Sequence, residues 1–348
     1  MANEADRLQL ISRVEEARGG RVLSLVLGDR QRHETRFAGD LLPVMYEHLS
    51  GFGHVQEIAL FLYTTGGDTL AAWGMVNLIR EYCDRFTAIV PFRCLSAGTL
   101  VVLGADQILL APGAQLGPID PSVSSPHNPP APGPPQQGRV SLLPVSVEDL
   151  VGFLHLAQNE AGISSEEPMA KVFASLADKV HPLALGAVYR AREQVASLAR
   201  SLLKSHIDDE TRVQRILDHL AKLPSHRYSI SRKEARDVFG DDWVVPIPEE
   251  LEREVWDLYR AYQDWLELMT PYSPEAVLGG DQSKTVTFPR AAFESRDGNK
   301  LRSHVFRTIK ELTRVQVAQP GVSSPVMGMQ ERTIAEGWTT WPEAGGVV

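Results

Sequence analysis

Two short segments of the chain each join an apolar run to a turn of small residues. The first covers residues 60–68 and contains the pair Gly66 and Gly67, and the second places Ser96 two residues after the mainly apolar segment 87–94. Apolar residues at helical spacing follow both turns, which predicts strand, turn and helix in each place. Ser96 is then expected at a helix N-terminus, where free backbone N–H groups favour developing negative charge. A serine in that position has the geometry of a nucleophile.

The two glycines add a second element of the same chemistry. Gly66 and Gly67 lack a Cβ, so their backbone can approach a substrate carbonyl closely. With the N–H of Ala97 they can form an oxyanion hole, in which one donor contributes roughly 3 kcal/mol of transition-state stabilisation. Two ordinary alternatives stay open, since the glycines can form a tight turn and Ser96 can be a helix N-cap. The order and spacing of the two segments favour the catalytic interpretation.

Four motifs of the chain resemble the Clp peptidase and signal peptide peptidase A superfamily, and in particular its branch called the serine dehydrogenase proteinase family. The resemblance covers about residues 20–245. The motifs that carry it are 63–67, 96–98, 104–112 and 117–121. The resemblance implies an α/β fold of the ClpP/crotonase-like type, a repeated ββα spiral with a helical arm. It also implies a serine peptidase (hydrolase) that is SppA-like and acts in proteolysis.

The resemblance assigns roles to individual residues. Gly66 and Gly67 take the oxyanion hole and Ser96 takes the nucleophile. Asp120 fills the position at which Clp peptidases carry the general-base histidine, and His226 fills the position of their orienting aspartate. The serine dehydrogenase proteinase family is described with the chain order Ser, Asp, His, which supports this exchange. A Ser-His-Asp triad is defined by geometry and role, and unrelated enzymes build it in different chain orders.

Other mechanisms remain open at this stage. A Ser-Lys dyad needs a lysine kept neutral by desolvation, and Lys171 is the candidate because it follows the loop that precedes the base in signal peptide peptidases. A crotonase-type acyl-CoA enzyme would use the oxyanion hole without Ser96, but a convincing catalytic glutamate is missing. A catalytically inactive, peptide-binding oligomeric scaffold is the third alternative. We favour His226 over any lysine as the base.

Metal and cofactor chemistry have little support in the sequence. The histidines are scattered without metal-ligand spacing, so no metal site and no cofactor are expected. Cys83 and Cys94 are the only cysteines. They are expected as buried thiols that behave as small apolar side chains.

The charge and hydropathy of the sequence limit the kinds of partner that the protein is expected to bind. A formal net charge of −9 leaves no basic stripe for a nucleic acid backbone. An apolar run of 18 or more residues is missing, as is a signal peptide, so the sequence predicts a cytoplasmic protein without a membrane span. Peptides or unfolded proteins are the expected substrates, and a homo-oligomer is expected. The chain has no P-loop motif, so degradation of folded proteins would require a separate unfoldase.

The predicted organisation is one large domain with additions. The peptidase domain is predicted at residues 1–248. Within it, 122–138 form a proline-rich mobile loop, and 147–223 form a helical insertion that we interpret as an oligomerisation arm. A C-terminal extension of helix and strands is predicted at 249–318. A flexible tail is predicted at 319–348.

Overall fold

The chain divides into two compact units, which are described in turn. Unit one consists of Met1–Leu116 and Ser231–Val348, and unit two of Gly117–Ile230. The structure is a computed structural model, and the residues that it describes are 3–123, 125–131, 142–143, 145–317 and 326–342.

Helices and strands alternate through most of the chain. In chain order they are α1 (Glu4–Arg18), β1 (Arg21–Leu27), α2 (Leu41–Phe52), β2 (Val55–Tyr63), α3 (Thr69–Arg80), β3 (Cys83–Val90), β4 (Arg93–Cys94), α4 (Ala97–Leu103), β5 (Gln107–Leu110), β6 (Gln115–Leu116), β7 (Ser122–Val123), β8 (Val145–Ser146), α5 (Val147–His155), a π-helix (Leu156–Glu160), α6 (Glu166–Ala177), α7 (Pro182–Lys204), α8 (Glu210–Ala221), β9 (Ile230–Ser231), α9 (Arg232–Phe239), β10 (Val244–Pro246), α10 (Glu249–Trp265), α11 (Pro274–Leu278), β11 (Ser283–Asp297), β12 (Lys300–Val317) and β13 (Val326–Thr340).

The main sheet of unit one has eight strands in the order β10-β5-β3-β2-β1-β11-β12-β13. The first five are parallel to one another, whereas β11, β12 and β13 continue from β1 in antiparallel pairing. β1 and β2 are almost entirely buried, which explains why they read as continuous apolar runs rather than alternating ones. The mixed α/β class predicted from the sequence is confirmed.

A second, shorter layer of strands repeats beside the main sheet. β3 is followed by the two-residue β4, and β5 by the two-residue β6, and these short strands pair with each other in parallel. The helix α4 follows β4 and is buried along its whole length. The short strand β4 therefore delivers the chain to Ser96 at a fixed place beside the main sheet.

The C-terminal part of unit one differs from the predicted tail. β11 and β12 form a hairpin whose loop contains Gly298 at a φ of 59°, and β13 pairs with β12. The sequence predicts a flexible tail over 319–348, whereas the structure places a strand within it, from Val326 to Thr340. The reason is the long partner strand β12, because a pairing between distant segments leaves no local signal.

Unit two is mainly helical. α7 begins with Pro182, a residue favoured at the first helical position, and it buries Val188, Val195 and Leu202 on one face. β7 and β8 form a short antiparallel pair. Of the predicted proline-rich loop, residues 124 and 132–138 lie outside the described residues. Within the described part of the chain, no helix combines the length and the apolarity needed to cross a bilayer.

Candidate active site

Ser96 occupies a strained turn between β4 and α4. Its backbone has a φ of 53° and a ψ of −116°, a region that side chains with a Cβ rarely adopt and that costs about 1–3 kcal/mol. The Ser96 side chain makes no capping hydrogen bond, and its hydroxyl has no hydrogen-bond partner among the described residues. An N-cap serine would use that hydroxyl on the helix. Ser96 is therefore not a side-chain N-cap of α4. It is a serine with a strained backbone and a free hydroxyl.

The Gly66 turn is fastened directly to the serine turn. The N–H of Thr64 donates to the carbonyl of Arg93, and the N–H of Leu95 donates to the carbonyl of Thr64, both at 3.0 Å. A Cβ built on Gly66 would lie 2.6 Å from the Cβ of Ser96. Only glycine fits this close approach, and the φ of +107° at Gly66 imposes the same choice.

The N–H of Gly66 is already engaged. It donates to the Thr64 hydroxyl at 2.9 Å, so in this structure it does not point to a free acceptor site. The sequence predicts Gly66 as part of the oxyanion hole, and in this structure its N–H donates to Thr64 while the absence of a Cβ leaves room for Ser96. The glycine-glycine motif alone cannot separate these two roles, because both require the absence of a Cβ.

Gly67 and Ala97 carry the unengaged donors of the site. Neither N–H donates to another described residue. Gly67 has a φ of +143°, and a Cβ on it would lie 2.4 Å from the backbone nitrogen of Phe37. Phe37 holds this turn from the other side, since its N–H donates to the Gly66 carbonyl and its carbonyl accepts the N–H of Asp68, both at 2.9 Å.

Packing beneath the serine turn is dense. A Cβ on Gly98 would lie 2.5 Å from the Thr64 methyl and 2.8 Å from the Cys94 sulfur. Cys94 is fully buried, and burial raises the pKa of its thiol. The thiol therefore stays protonated and unreactive although it lies two residues before Ser96.

Asp29 ties the two turns to the end of β1, a feature that sequence reasoning missed. Arg93 Nη1 donates to Asp29 Oδ2 at 2.7 Å, and the buried hydroxyl of Tyr63 donates to Asp29 Oδ1 at 2.8 Å. Burial, together with the Asp29 carboxylate, raises the pKa of Tyr63, which keeps it a hydrogen-bond donor. No sequence motif connects Asp29 with Arg93, so only the structure could reveal this link.

Asp120 and His226 lie in unit two, whereas Ser96 and the glycines lie in unit one. Asp120 is half-buried in a cavity of about 300 Å³, where Glu148 and Arg192 are also lining residues. Burial raises the pKa of Asp120, the Glu148 carboxylate raises it further, and the charges of His226 and Arg192 lower it. Asp120 and His226 are thus brought into one electrostatic neighbourhood.

His226 is exposed and is held through its backbone. Its N–H donates to Glu148 Oε2 at 2.7 Å. Glu148 is placed at the start of α5, where the Ser146 hydroxyl caps the helix by accepting the N–H of Glu148 at 3.1 Å. Sequence reasoning missed Glu148 and Arg192. The capping pattern Ser146-Val147-Glu148 was a usable signal for a fixed carboxylate, but nothing linked it to position 226.

Lys171 is placed differently from the other candidates. It lies on α6, its side chain is 76% exposed, and its ammonium is 2.8 Å from the Glu167 carboxylate in a helical i, i+4 pair. A lysine base requires desolvation that keeps it neutral. The surroundings of Lys171 supply a negative charge and water instead.

One segment of the chain matches a known protein family. Residues 53–133 match the sequence model of the family described as ClpP-like SDH-type serine proteinase. This segment contains Gly66, Gly67, Ser96 and Asp120, so the resemblance to the serine dehydrogenase proteinase family is confirmed there. ClpP-like serine proteinase is the class that this segment, 81 of the 348 residues, resembles.

Three curated relatives share parts of the chain. One uncharacterised protein of Methanocaldococcus jannaschii is 29% identical over 128 residues, which are 34% of this chain and 42% of that protein. A second from the same organism is 37% identical over 68 residues, which are 20% of this chain and 24% of that protein. Membrane protein NfeD1b of Bacillus subtilis is 42% identical over 64 residues, which are 18% of this chain and 15% of that protein. The matches span less than half of each relative.

Solved structures of ClpP1 from Listeria monocytogenes are also similar. The protein and a point mutant of it give TM-scores of 0.36 and 0.37 at 12% identity, and each match covers 70% of this chain and 97% of that chain. We assign neither activity nor assembly from these scores.

Proposed function

We propose that this chain is a serine peptidase that hydrolyses peptide bonds of unfolded proteins or peptides through an acyl-enzyme on Ser96. The observation that carries the proposal is the state of Ser96. Its hydroxyl has no partner among the described residues, its backbone is strained, and the absence of a Cβ at Gly66 leaves room for it. A structural serine would have no need for any of these three features.

The proposed reaction begins with attack of Ser96 Oγ on the carbonyl carbon of the scissile peptide bond. As the new C–O bond forms, the hydroxyl proton passes to the imidazole of His226. The tetrahedral intermediate then collapses, the C–N bond breaks, and His226 returns the proton to the leaving amine. A water molecule hydrolyses the ester by the same route, which releases the carboxylic acid and restores Ser96.

The oxyanion of the intermediate is assigned to the N–H groups of Gly67 and Ala97. Both donors are unengaged among the described residues, whereas Gly66 has given its N–H to Thr64. Backbone donors that are held in place before the reaction need no reorganisation when charge develops. In this assignment Gly66 contributes space and Gly67 contributes the hydrogen bond.

Asp120 is assigned to the support of the His226 imidazolium. The two residues share one electrostatic neighbourhood, and the charge of His226 lowers the pKa of Asp120. In a Ser-His-Asp triad the carboxylate stabilises the imidazolium that forms when the histidine accepts the serine proton. His226 is preferred to Lys171 as the base because Lys171 is exposed and paired with Glu167. Assembly as a homo-oligomer, a cytoplasmic location and a separate unfoldase stay predictions.

The test is a side-by-side comparison of four proteins. Wild type, Ser96→Ala, His226→Ala and Lys171→Ala are assayed for casein hydrolysis and for labelling by a fluorophosphonate probe. We expect Ser96→Ala to lose both signals, His226→Ala to lose turnover by about a thousandfold or more, and Lys171→Ala to retain both. Labelling that persists in Ser96→Ala would refute the nucleophile. Loss in Lys171→Ala with an active His226→Ala would replace the triad by a Ser-Lys dyad.

A further inference from the structure

One loop joins the Gly66 turn to the C-terminal strands of unit one. We call residues 28–37 the bridging loop, which leads from the end of β1 towards α2. At the far end of this loop, Phe37 pairs with Gly67 in a parallel bridge. The residues that match the family model, 53–133, include neither the bridging loop nor the C-terminal strands. The position of the Gly66 turn therefore depends on contacts outside the matched segment.

A β-bulge in β11 holds the start of the bridging loop. The pairing of β11 with β12 shifts between Pro289 and Ala291, so Arg290 is the extra residue. A bulge releases one residue from the ladder and turns it in a new direction. The Arg290 carbonyl accepts the N–H of Gly28 at 3.0 Å and the hydroxyl of Thr35 at 3.3 Å. The extra residue of the bulge thus binds the bridging loop instead of β12.

The Arg290 side chain binds the middle of the same loop. Its Nε donates to the His33 carbonyl at 3.1 Å, and its Nη2 donates to the Glu34 carbonyl. Its Nη1 donates to the Thr308 hydroxyl at 2.9 Å and to the Glu336 carboxylate, which come from β12 and β13. The side chain is only 15% exposed. One planar guanidinium therefore connects all three C-terminal strands with two successive loop carbonyls, which a lysine ammonium cannot reproduce.

A second contact holds the bridging loop without Arg290. Lys310 Nζ of β12 lies 3.1 Å from His33 Nε2. The His33 ring packs against the rings of Tyr272 and Phe288, with centroids 4.1 Å and 4.6 Å away. These contacts remain when the Arg290 side chain is removed, so a substitution there should loosen the loop without detaching it.

We propose that Arg290 is a positioning residue, which acts through the bridging loop to hold the N–H of Gly67 where the oxyanion develops. Phe37 connects the two places, because its N–H donates to the Gly66 carbonyl and its carbonyl accepts the N–H of Asp68. These two partners flank Gly67, so movement of Phe37 moves the Gly67 donor. A donor that is fixed before the reaction stabilises developing charge without reorganisation. The inference rests on the proposed peptidase function for the identity of this role.

The test compares two arginines of the C-terminal strands. Arg290→Met removes the donors to the bridging loop and keeps the apolar stem of the side chain. Arg314→Met is the matched control on β12, because Arg314 also donates to two backbone carbonyls, those of Gly279 and Asp281, which lie outside the bridging loop. Arg290→Lys is a milder variant that keeps a charge beside Glu336.

Hydrogen exchange at single amides measures the position of the turn without turnover. The N–H groups of Phe37 and Asp68 both donate in the contact between the bridging loop and the Gly66 turn. We expect both to exchange about tenfold faster in Arg290→Met, and at the wild-type rate in Arg314→Met. Exchange at the wild-type rate in Arg290→Met would overturn the inference.

Turnover separates positioning from stability. Hydrolysis of an internally quenched peptide is expressed per site that a fluorophosphonate probe labels at completion, so unfolded protein does not count. We expect Arg290→Met to lower kcat about tenfold with KM unchanged, since the Gly67 donor acts on the transition state. Fewer labelled sites with a wild-type kcat per site would assign Arg290 to stability alone and overturn its positioning role.

Arg290→Lys keeps the inference testable if Arg290→Met does not fold. It should show the faster exchange and the lower kcat to a smaller extent, because an ammonium cannot donate to both loop carbonyls in one plane. Wild-type exchange and wild-type kcat in Arg290→Lys would then overturn the inference.

The two proposals fail in different ways. Faster exchange at Asp68 in Arg290→Met alone, in a protein whose wild type shows no hydrolysis, would keep Arg290 as the support of the Gly66 turn and refute the peptidase. Hydrolysis that depends on Ser96, with the same kcat per labelled site in Arg290→Met and Arg314→Met, would keep the peptidase and refute the positioning role.

Discussion

The turn around Ser96 and the segment around His226 are held in different ways. Ser96 is bracketed by backbone hydrogen bonds from Thr64, by a glycine in close approach, and by a fully buried helix. His226 is exposed, and a hydrogen bond from its backbone to Glu148 holds it. The first arrangement fixes the backbone of Ser96 on several sides, whereas the second holds only the backbone of His226 and leaves its side chain exposed. The proposed role of Ser96 as nucleophile requires a fixed position, and the proposed role of His226 as proton carrier tolerates movement of the imidazole.

The largest expected effect compares one ion pair in each unit. Arg7 and Glu294 form a bidentate pair at 2.9 Å in unit one, with side chains 3% and 0% exposed, and Tyr262 also donates to Glu294. Arg7→Met leaves a buried, uncompensated charge and should lower the free energy of unfolding by about 3–5 kcal/mol. Lys171→Met removes the exposed partner of Glu167 and should lower it by less than about 0.5 kcal/mol. Urea unfolding measures the change in the free energy of unfolding for both variants. Similar values for Arg7→Met and Lys171→Met would contradict the expected difference between the rigid and the adjustable region.

Gly66→Ala tests the close approach between Gly66 and Ser96. The new Cβ would meet the Cβ of Ser96 at 2.6 Å, and a φ of +107° strains any residue other than glycine. Displacement of the nucleophile by even about 1 Å should lower kcat by about a hundredfold. Gly113→Ala is the control, because nothing lies within 4 Å of the added Cβ there. A Gly66→Ala enzyme with wild-type kcat would mean that Ser96 is not held by this contact.

Acid should weaken unit one through a buried histidine. Burial, with His304 and Arg302, lowers the pKa of His48 to about 2 from an ordinary value of 6.5. The folded state therefore favours neutral His48, so stability is complete above pH 6.5 and is lost as the pH falls from 6.5 towards 2. At pH 5 the contribution to the free energy of unfolding is smaller by on the order of 2 kcal/mol.

The measurement for this prediction is urea unfolding at several pH values between about 7 and about 5, which spans the ordinary pKa of histidine. His48→Gln should flatten the dependence on pH, whereas His54→Gln should not, because the His54 side chain is 57% exposed. His33, whose pKa burial lowers to about 3, leaves a residual slope in both variants. An unchanged slope in His48→Gln would show that His48 is not the group responsible.

The smallest expected effect concerns the single tether of His226. Glu148→Ala removes the acceptor of the His226 N–H and should lower kcat about tenfold, since the base loses its position rather than its chemistry. Glu148→Gln keeps an acceptor oxygen and should stay closer to wild type. It should also lower the pKa of Asp120, which the Glu148 carboxylate raises. Glu167→Ala is the matched control on the neighbouring helix, and an equal loss there would remove Glu148 from the mechanism.

Short-range features of the candidate site could be predicted from the sequence. The turns at Gly66 and Ser96 and the helices that follow them, α3 and α4, are encoded by local spacing of small and apolar residues. The α/β class follows from the same alternation. Cys94 is also expected as a buried thiol, and its burial raises the pKa as desolvation requires.

Features that depend on distant partners could not be predicted. The hydrogen bond from the Gly66 N–H to the Thr64 hydroxyl depends on the side-chain rotamer of Thr64, which the local sequence pattern does not specify. Asp29 meets Arg93, and Glu148 meets the backbone of His226, across large sequence separations. β13 exists because β12 offers a long edge to pair with, and strand pairing of that kind leaves no trace in local composition.

The conformation of Ser96 has a consequence for the evolution and engineering of the chain. A φ of 53° with a ψ of −116° is unstrained only for glycine, so Ser96→Gly should raise the melting temperature while it removes the proposed nucleophile. At this one position, the residue that favours stability differs from the residue that the proposed activity requires. Laboratory evolution that selects for heat resistance alone would drift towards glycine at this position, and only a concurrent screen for turnover would retain the serine.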